Sequence, residues 1–154
     1  MDGGIVYIKN LIRILNFLDD DDKPEVVVFY RAGLRKYAEQ VDYPYMNLIE
    51  WDFPPVYQGY IKSWILRKNV FVESILKNYN LDGLYPLQDY PLRAVTDTKI
   101  VSWYADLQHK YYPEFFTKRK IIERNVRIKF MLRNSQHLVV SSQAVADDFK
   151  RFFR

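Results

Sequence analysis

Short apolar runs of strand length that alternate with amphipathic stretches of helix length constrain this chain more than any other feature of its sequence. Glu25–Tyr30 is rich in β-branched residues, Lys99–Tyr104 reads as a buried strand, and Met46–Trp51, Leu81–Leu87 and His137–Ser141 are further strand candidates. Helical spacing of apolar residues marks Ile5–Leu15, a short segment near 33–41, and Tyr60–Tyr79 as the longest helix. A basic helix at about 118–134 and a last helix from Ser142 complete the series. Strands alternating with helices build βαβ units, so the expected class is α/β: a Rossmann-like three-layer domain with a mainly parallel sheet. No internal repeat or Gly/Ser linker divides the sequence, and residues 1–154 are expected to form a single domain.

Punctuation between these segments is equally local. Asp19–Asp22, a run of carboxylates before Lys23-Pro24, suits a turn that ends the first helix. A calcium loop is the sharper alternative, but it would need interleaved glycine and a distant glutamate, and neither appears. Asp52-Phe53-Pro54-Pro55 breaks the chain before the longest helix, and Gln88–Thr98 reads as a loop. A hydrophobic share of 49% with 27% charged residues excludes a disordered chain. The apolar runs fall far short of the ~20 residues that span a bilayer, and no charged-then-apolar leader opens the sequence. Without cysteine there is no disulfide framework, thiol nucleophile or Cys-based zinc site, which makes a cytoplasmic location the expectation. The net charge of +4 is modest, yet basic residues crowd Lys110–Arg133. That segment either attracts phosphates or anionic lipid, or is the solvated face of an exposed helix.

Chemistry is expected where a strand ends. In open parallel sheets ligands sit outside the carboxyl ends of the strands, and Lys99–Tyr104 runs directly into Ala105-Asp106-Leu107-Gln108-His109. Asp106, Gln108 and His109 are therefore expected at a cleft mouth. An imidazole, with its ordinary pKa near ~6.5, can give a sugar hydroxyl or a phosphate a hydrogen bond or a positive charge. On extended backbone Asp106 and Gln108 share one face and His109 takes the other, whereas a turn would change that. Tyr111, Tyr112, Phe115 and Phe116 flank Pro113 in an expected loop, with rings that either stack on a sugar or fold back as cover for the sheet. Ser142 reads as a helix N-cap.

Gly3-Gly4 at a helix start could bring backbone N–H groups close to a phosphate. A phosphate-binding loop normally follows a strand, and only Met1 and Asp2 precede these glycines, so the first strand is expected to be missing. A metal site is poorly served: the two histidines, His109 and His137, lack the spacing of a ligand pair. A Ser-His-Asp triad from Ser141 or Ser142, His109 and Asp106 lacks the Gly-x-Ser-x-Gly elbow.

Asp106-Leu107-Gln108-His109, then Tyr112-Pro113-Glu114-Phe115-Phe116, then a helix with Glu123 and Arg124, then Leu138-Val139-Val140-Ser141-Ser142 before another helix, together form a pattern. It resembles the acceptor-side, N-terminal domain of GT-B glycosyltransferases, most closely the retaining family 4, or group 1. The resemblance is strongest over 99–149 and covers half of such an enzyme. It implies transfer of a sugar from a nucleotide-sugar, used as substrate and with no separate cofactor, to a glycan, lipid or small-molecule acceptor. It implies His109 as the catalytic contributor, with Gly3, Gly4, Asp106, Gln108, Tyr112 and Ser142 around substrate or donor. The partner it implies is a second, nucleotide-binding GT-B domain with a Glu-x7-Glu pattern, without which the chain is expected to be inactive.

Two further classes stand beside this. One is a standalone α/β module that binds an anionic small molecule or a partner protein at 103–116. The other is a basic peripheral module, with the Trp64 helix and the basic segment at the inner face of a membrane. Nucleic acid is the weaker partner, since no helix-turn-helix, zinc-finger or ribonucleoprotein signature accompanies the basic residues.

Overall fold

All the strand pairings formed by the described residues are parallel. The computed structural model describes residues 3–86 and 97–153, and the chain divides into two compact units, Met1–Phe53 and Pro54–Arg154. The α/β class expected from the alternation is what forms.

In the first unit, helix α1 (Gly3–Leu15) precedes strand β1 (Val26–Tyr30), a single helical turn α2 (Arg35–Ala38) and strand β2 (Met46–Glu50). The Asp19–Asp22 run becomes a 3-10 turn over Asp20–Asp22, closed by a 2.6 Å ion pair between Lys23 and Asp20. β1 and β2 pair from Val26 opposite Met46 to Tyr30 opposite Glu50. Ile8, Ile12 and Leu15 sit one turn apart along α1, and they meet Val41, Tyr43, Val26, Val28 and Met46 in one core. Buried Tyr43 keeps its hydroxyl satisfied by donating to the carbonyl of Pro24 at 2.7 Å.

The second unit holds α3 (Val56–Leu66), α4 (Val70–Asn78), β3 (Gly83–Leu84), β4 (Lys99–Tyr104), α5 (Gln108–Tyr111), α6 (Lys118–Asn134), β5 (His137–Val140) and α7 (Gln143–Phe152). Its sheet runs β3-β4-β5, with Val101 opposite His137 through Tyr104 opposite Val140. Gln136 extends that ladder: its N–H donates to the Ile100 carbonyl at 2.9 Å and its Oε1 accepts from the Ile100 N–H at 2.8 Å. Leu107, Ile128, Met131, Val145 and Phe149 form one core and Phe71, Val72 and Ile100 another. Each fully buried side chain of this size contributes about 1.5–3 kcal/mol.

Three expectations are corrected. The helix expected over Tyr60–Tyr79 is two helices, because Arg67 adopts a left-handed conformation (φ 52°) and Asn69 caps α4 by accepting from the Phe71 N–H at 3.2 Å. Apolar periodicity runs through this break because both helices use it. Residues 111–116 are not a loop but two single turns, α5 and a 3-10 turn over Pro113–Phe115. The strand expected over Leu81–Leu87 is paired only at Gly83–Leu84; Leu87, and residues 88–96 of the expected loop, lie outside the described residues.

Candidate functional site

β4 and β5 end side by side, and their exits are tied together. Ser141, the first residue past β5, donates its hydroxyl to the carbonyl of Ala105, the first past β4, at 2.6 Å. Asp106 then turns the chain: its Oδ1 accepts from the Gln108 N–H at 3.2 Å, an Asx turn that ends the extended backbone. Leu107, 2% exposed, plugs the core beneath. The turn takes His109 inward, where it is 1% exposed, and leaves Gln108 in solvent. The expectation that His109 stands open at a cleft mouth is therefore corrected: Leu107 anchors the turn and the imidazole lies underneath it.

The imidazole is held by α6 and by the 3-10 turn. Nε2 lies 3.1 Å from Oδ1 of Asn125, which can only accept, so Nε2 carries the proton and Nδ1 presents a lone pair. Nδ1 is buried and has no hydrogen-bond partner among the described residues. The ring of Phe116 stands edge-on to the imidazole at 6.4 Å, and the Arg124 guanidinium lies 4.6 Å from the centre of that same ring. Burial pushes the His109 pKa below its ordinary value; Lys110 and Arg124 push the same way, against the Asn125 hydrogen bond and the Asp106 carboxylate. The result is a neutral, oriented imidazole with a free acceptor nitrogen.

Around it, most aromatic rings serve as cover. Tyr111 donates its hydroxyl to Asp148 of α7 and packs edge-on against Phe152. Lys110 lies over Phe152 and Phe153, and burial lowers its pKa, with Lys129 adding to the shift. Tyr112 differs. It stacks on Phe115 with ring centres 6.0 Å apart, and both rings face solvent. Ser142 is an N-cap as its sequence suggests, accepting from the Val145 N–H at 3.3 Å.

The structure thus brings Asp106, Gln108, His109 and Tyr112 into one turn-rich segment, and Ser142 follows the neighbouring strand in the same unit. Gly3 and Gly4 form the first turn of α1 in the other unit. Sequence reasoning missed Asn125, which fixes the imidazole. Its signal was an amide on the otherwise basic and apolar face of a helix, a weak one without the fold.

A second recess, of about 490 Å³, opens at the carboxyl ends of β1 and β2, lined by Arg31, Ala32, Glu50, Trp51, Asp52 and Phe53. Trp51 is braced edge-on by Phe29 at 5.6 Å, and Arg31 sits 5.7 Å from the Phe53 ring centre. The sequence pointed to Glu50 and Trp51 only as strand and to Asp52-Phe53 only as a chain break, and no site was expected here, although these residues end a strand or lie just past one. Among the described residues no group of His, Asp and Glu side chains is placed to hold a metal ion, and no helix is long and apolar enough to cross a membrane. No family model, curated protein or solved structure matches this chain.

Proposed function

We propose that this chain is the acceptor-side domain of a retaining GT-B glycosyltransferase, which moves a sugar from a nucleotide-sugar to a glycan, lipid or small-molecule acceptor. The observation that carries the reading is the imidazole of His109. A buried ring nitrogen without a partner costs free energy, and such groups persist where a ligand completes them. Its place after β4, beside the end of a second parallel strand, is where α/β proteins bind substrates. The aspartate-leucine-glutamine-histidine and aromatic-proline-glutamate-phenylalanine pattern adds the family.

In this reading His109 acts as a hydrogen-bond acceptor, not as a cation. With its proton fixed on the Asn125 side, Nδ1 would accept from a sugar hydroxyl, which reaches the buried ring only when the turn above it shifts on binding. Positive potential for a departing diphosphate comes from Arg124 and Lys110. Tyr112 and Phe115 offer a sugar face to stack on. The nucleotide itself is held by a second domain.

The test uses the open reading frame that encodes this chain. Its product is incubated with a panel of nucleotide-sugars and acceptors, and release of nucleoside diphosphate is followed. Acceptor-dependent release that falls at least about a hundredfold in kcat in His109→Ala, with circular dichroism unchanged, supports the reading. A product that carries the second domain yet turns over no nucleotide-sugar, or a His109→Ala variant with full turnover, overturns it.

A further inference from the structure

Helix α3 turns Gly59 and Ser63 inward and most of its apolar residues out. Gly59 and Ser63, one turn apart, are buried, while Tyr57, Ile61 and Ile65, also one turn apart, lie on the opposite side with Trp64 beside them. Tyr57 is 77% and Ile65 74% exposed. The inward side is fully used: Ser63 Oγ accepts from the Val70 N–H at 3.2 Å, and the Phe71 ring fills the space where a side chain at Gly59 would stand. The helix cannot roll to bury its apolar stripe without driving larger side chains into Phe71.

The apolar surface continues onto α6. Trp64 meets Phe130 edge-on at 5.2 Å, and Ile122, Val126 and Phe130 recur one turn apart, with Ile122 and Val126 exposed. Exposed cations share that side of α6, namely Arg119, Lys129 and Arg133, and Lys62 projects from α3. None of these four pairs with a carboxylate among the described residues. Glu123, the acidic residue of α6, is held by Arg127 at 3.3 Å.

We infer that this face docks on an anionic lipid bilayer, with the α3 stripe in the boundary between headgroups and acyl chains and the α6 cations against lipid phosphates. Aromatic and branched apolar side chains on a helix flanked by lysine and arginine suit that boundary. Charge argues against a second copy of the chain, because a two-fold contact would set Arg119, Lys129 and Arg133 against themselves. The inference goes beyond sugar transfer and does not depend on it.

Vesicle flotation of the 154-residue chain tests it, with phosphatidylcholine alone and with a mixture of phosphatidylcholine and phosphatidylglycerol. The chain is expected to float with the mixed vesicles only, and to lose most of that binding in about 0.5 M salt. Its tryptophan emission shifts to the blue on binding, and Trp64→Phe removes the shift. Ile61→Ser with Ile65→Ser, and separately Arg119→Glu with Arg133→Glu, each weaken partitioning at least about tenfold; at exposed positions they leave the thermal transition in place. Failure to float with mixed vesicles, or variants that float like the parent, overturns the inference. So does concentration-dependent self-association abolished by Ile65→Ser, which would assign the face to a second copy.

Discussion

Asn125 reaches His109 from the middle of a long helix, with its Oδ1 3.1 Å from the imidazole Nε2, and this single contact decides which nitrogen carries the proton. Burial, which the Asn125 hydrogen bond only partly offsets, makes the histidine a pH-dependent weak point. Burial holds the folded-state pKa below the ordinary value near ~6.5. Between the two values the unfolded chain binds more protons than the folded one, so the stability that neutral His109 contributes is complete above pH ~6.5 and is lost as pH falls through the folded value. Chemical denaturation at pH 7.5 and at pH 5 is expected to show a drop in midpoint that His109→Gln reduces. Asn125→Ala, which strands the Nε2–H, costs about 1–3 kcal/mol at neutral pH. Asn125→Asp places a carboxylate there, favours imidazolium and shrinks the acid sensitivity; an unchanged pH profile in that variant would mean the contact does not set the protonation state.

Much of the frame was legible because it rests on short-range signals. β-branched runs gave β1 and β4, and a serine at the start of a helical pattern gave the cap of α7. The α3–α4 break was hidden because Ile61, Trp64, Phe71 and Ile75 keep helical spacing across it. What separates them is one left-handed backbone at Arg67, a residue that carries no preference for it. At the site, position in the chain pointed to His109, but its burial depends on Asp106 turning the backbone and on Asn125 arriving from sixteen residues away. Such meetings between segments have no local signature.

Gly59 and Phe71 make a paired prediction. Alanine is ordinarily better than glycine inside a helix by about 1 kcal/mol. Here the added methyl group would overlap the Phe71 ring, which is 4% exposed and packed with Tyr60, Val72 and Ile100. Overpacking of this kind costs about 1–3 kcal/mol, so Gly59→Ala is expected to lower stability despite the gain in propensity. Combining it with Phe71→Leu should recover part of the loss, and strictly additive effects in that double-mutant cycle would show that the two positions do not compete for the same space.

Arg67 carries the opposite expectation. A non-glycine residue held in the left-handed region costs about 1–2 kcal/mol, against the entropy that glycine adds to the unfolded chain. Arg67→Gly is therefore expected to stabilise the unit by about 0.5–1 kcal/mol, seen as a higher urea midpoint at constant slope. A destabilised variant would mean that the Arg67 side chain makes a compensating contact.

Ser142 separates a structural role from a binding one. Its Oγ accepts from the Val145 N–H at 3.3 Å, so Ser142→Ala should cost about 1 kcal/mol of stability, while Ser142→Asp, an equally good cap with a charge suited to a helix start, should restore it. In the proposed enzyme the two variants part ways. The glycosyltransferase resemblance implies Ser142 beside substrate or donor; there aspartate would set a carboxylate against the anionic nucleotide-sugar, and like charges would raise its KM at least about tenfold. A fully stable Ser142→Asp enzyme with that rise in KM places Ser142 at the donor, whereas a stable enzyme with unchanged KM leaves it a helix cap and nothing more.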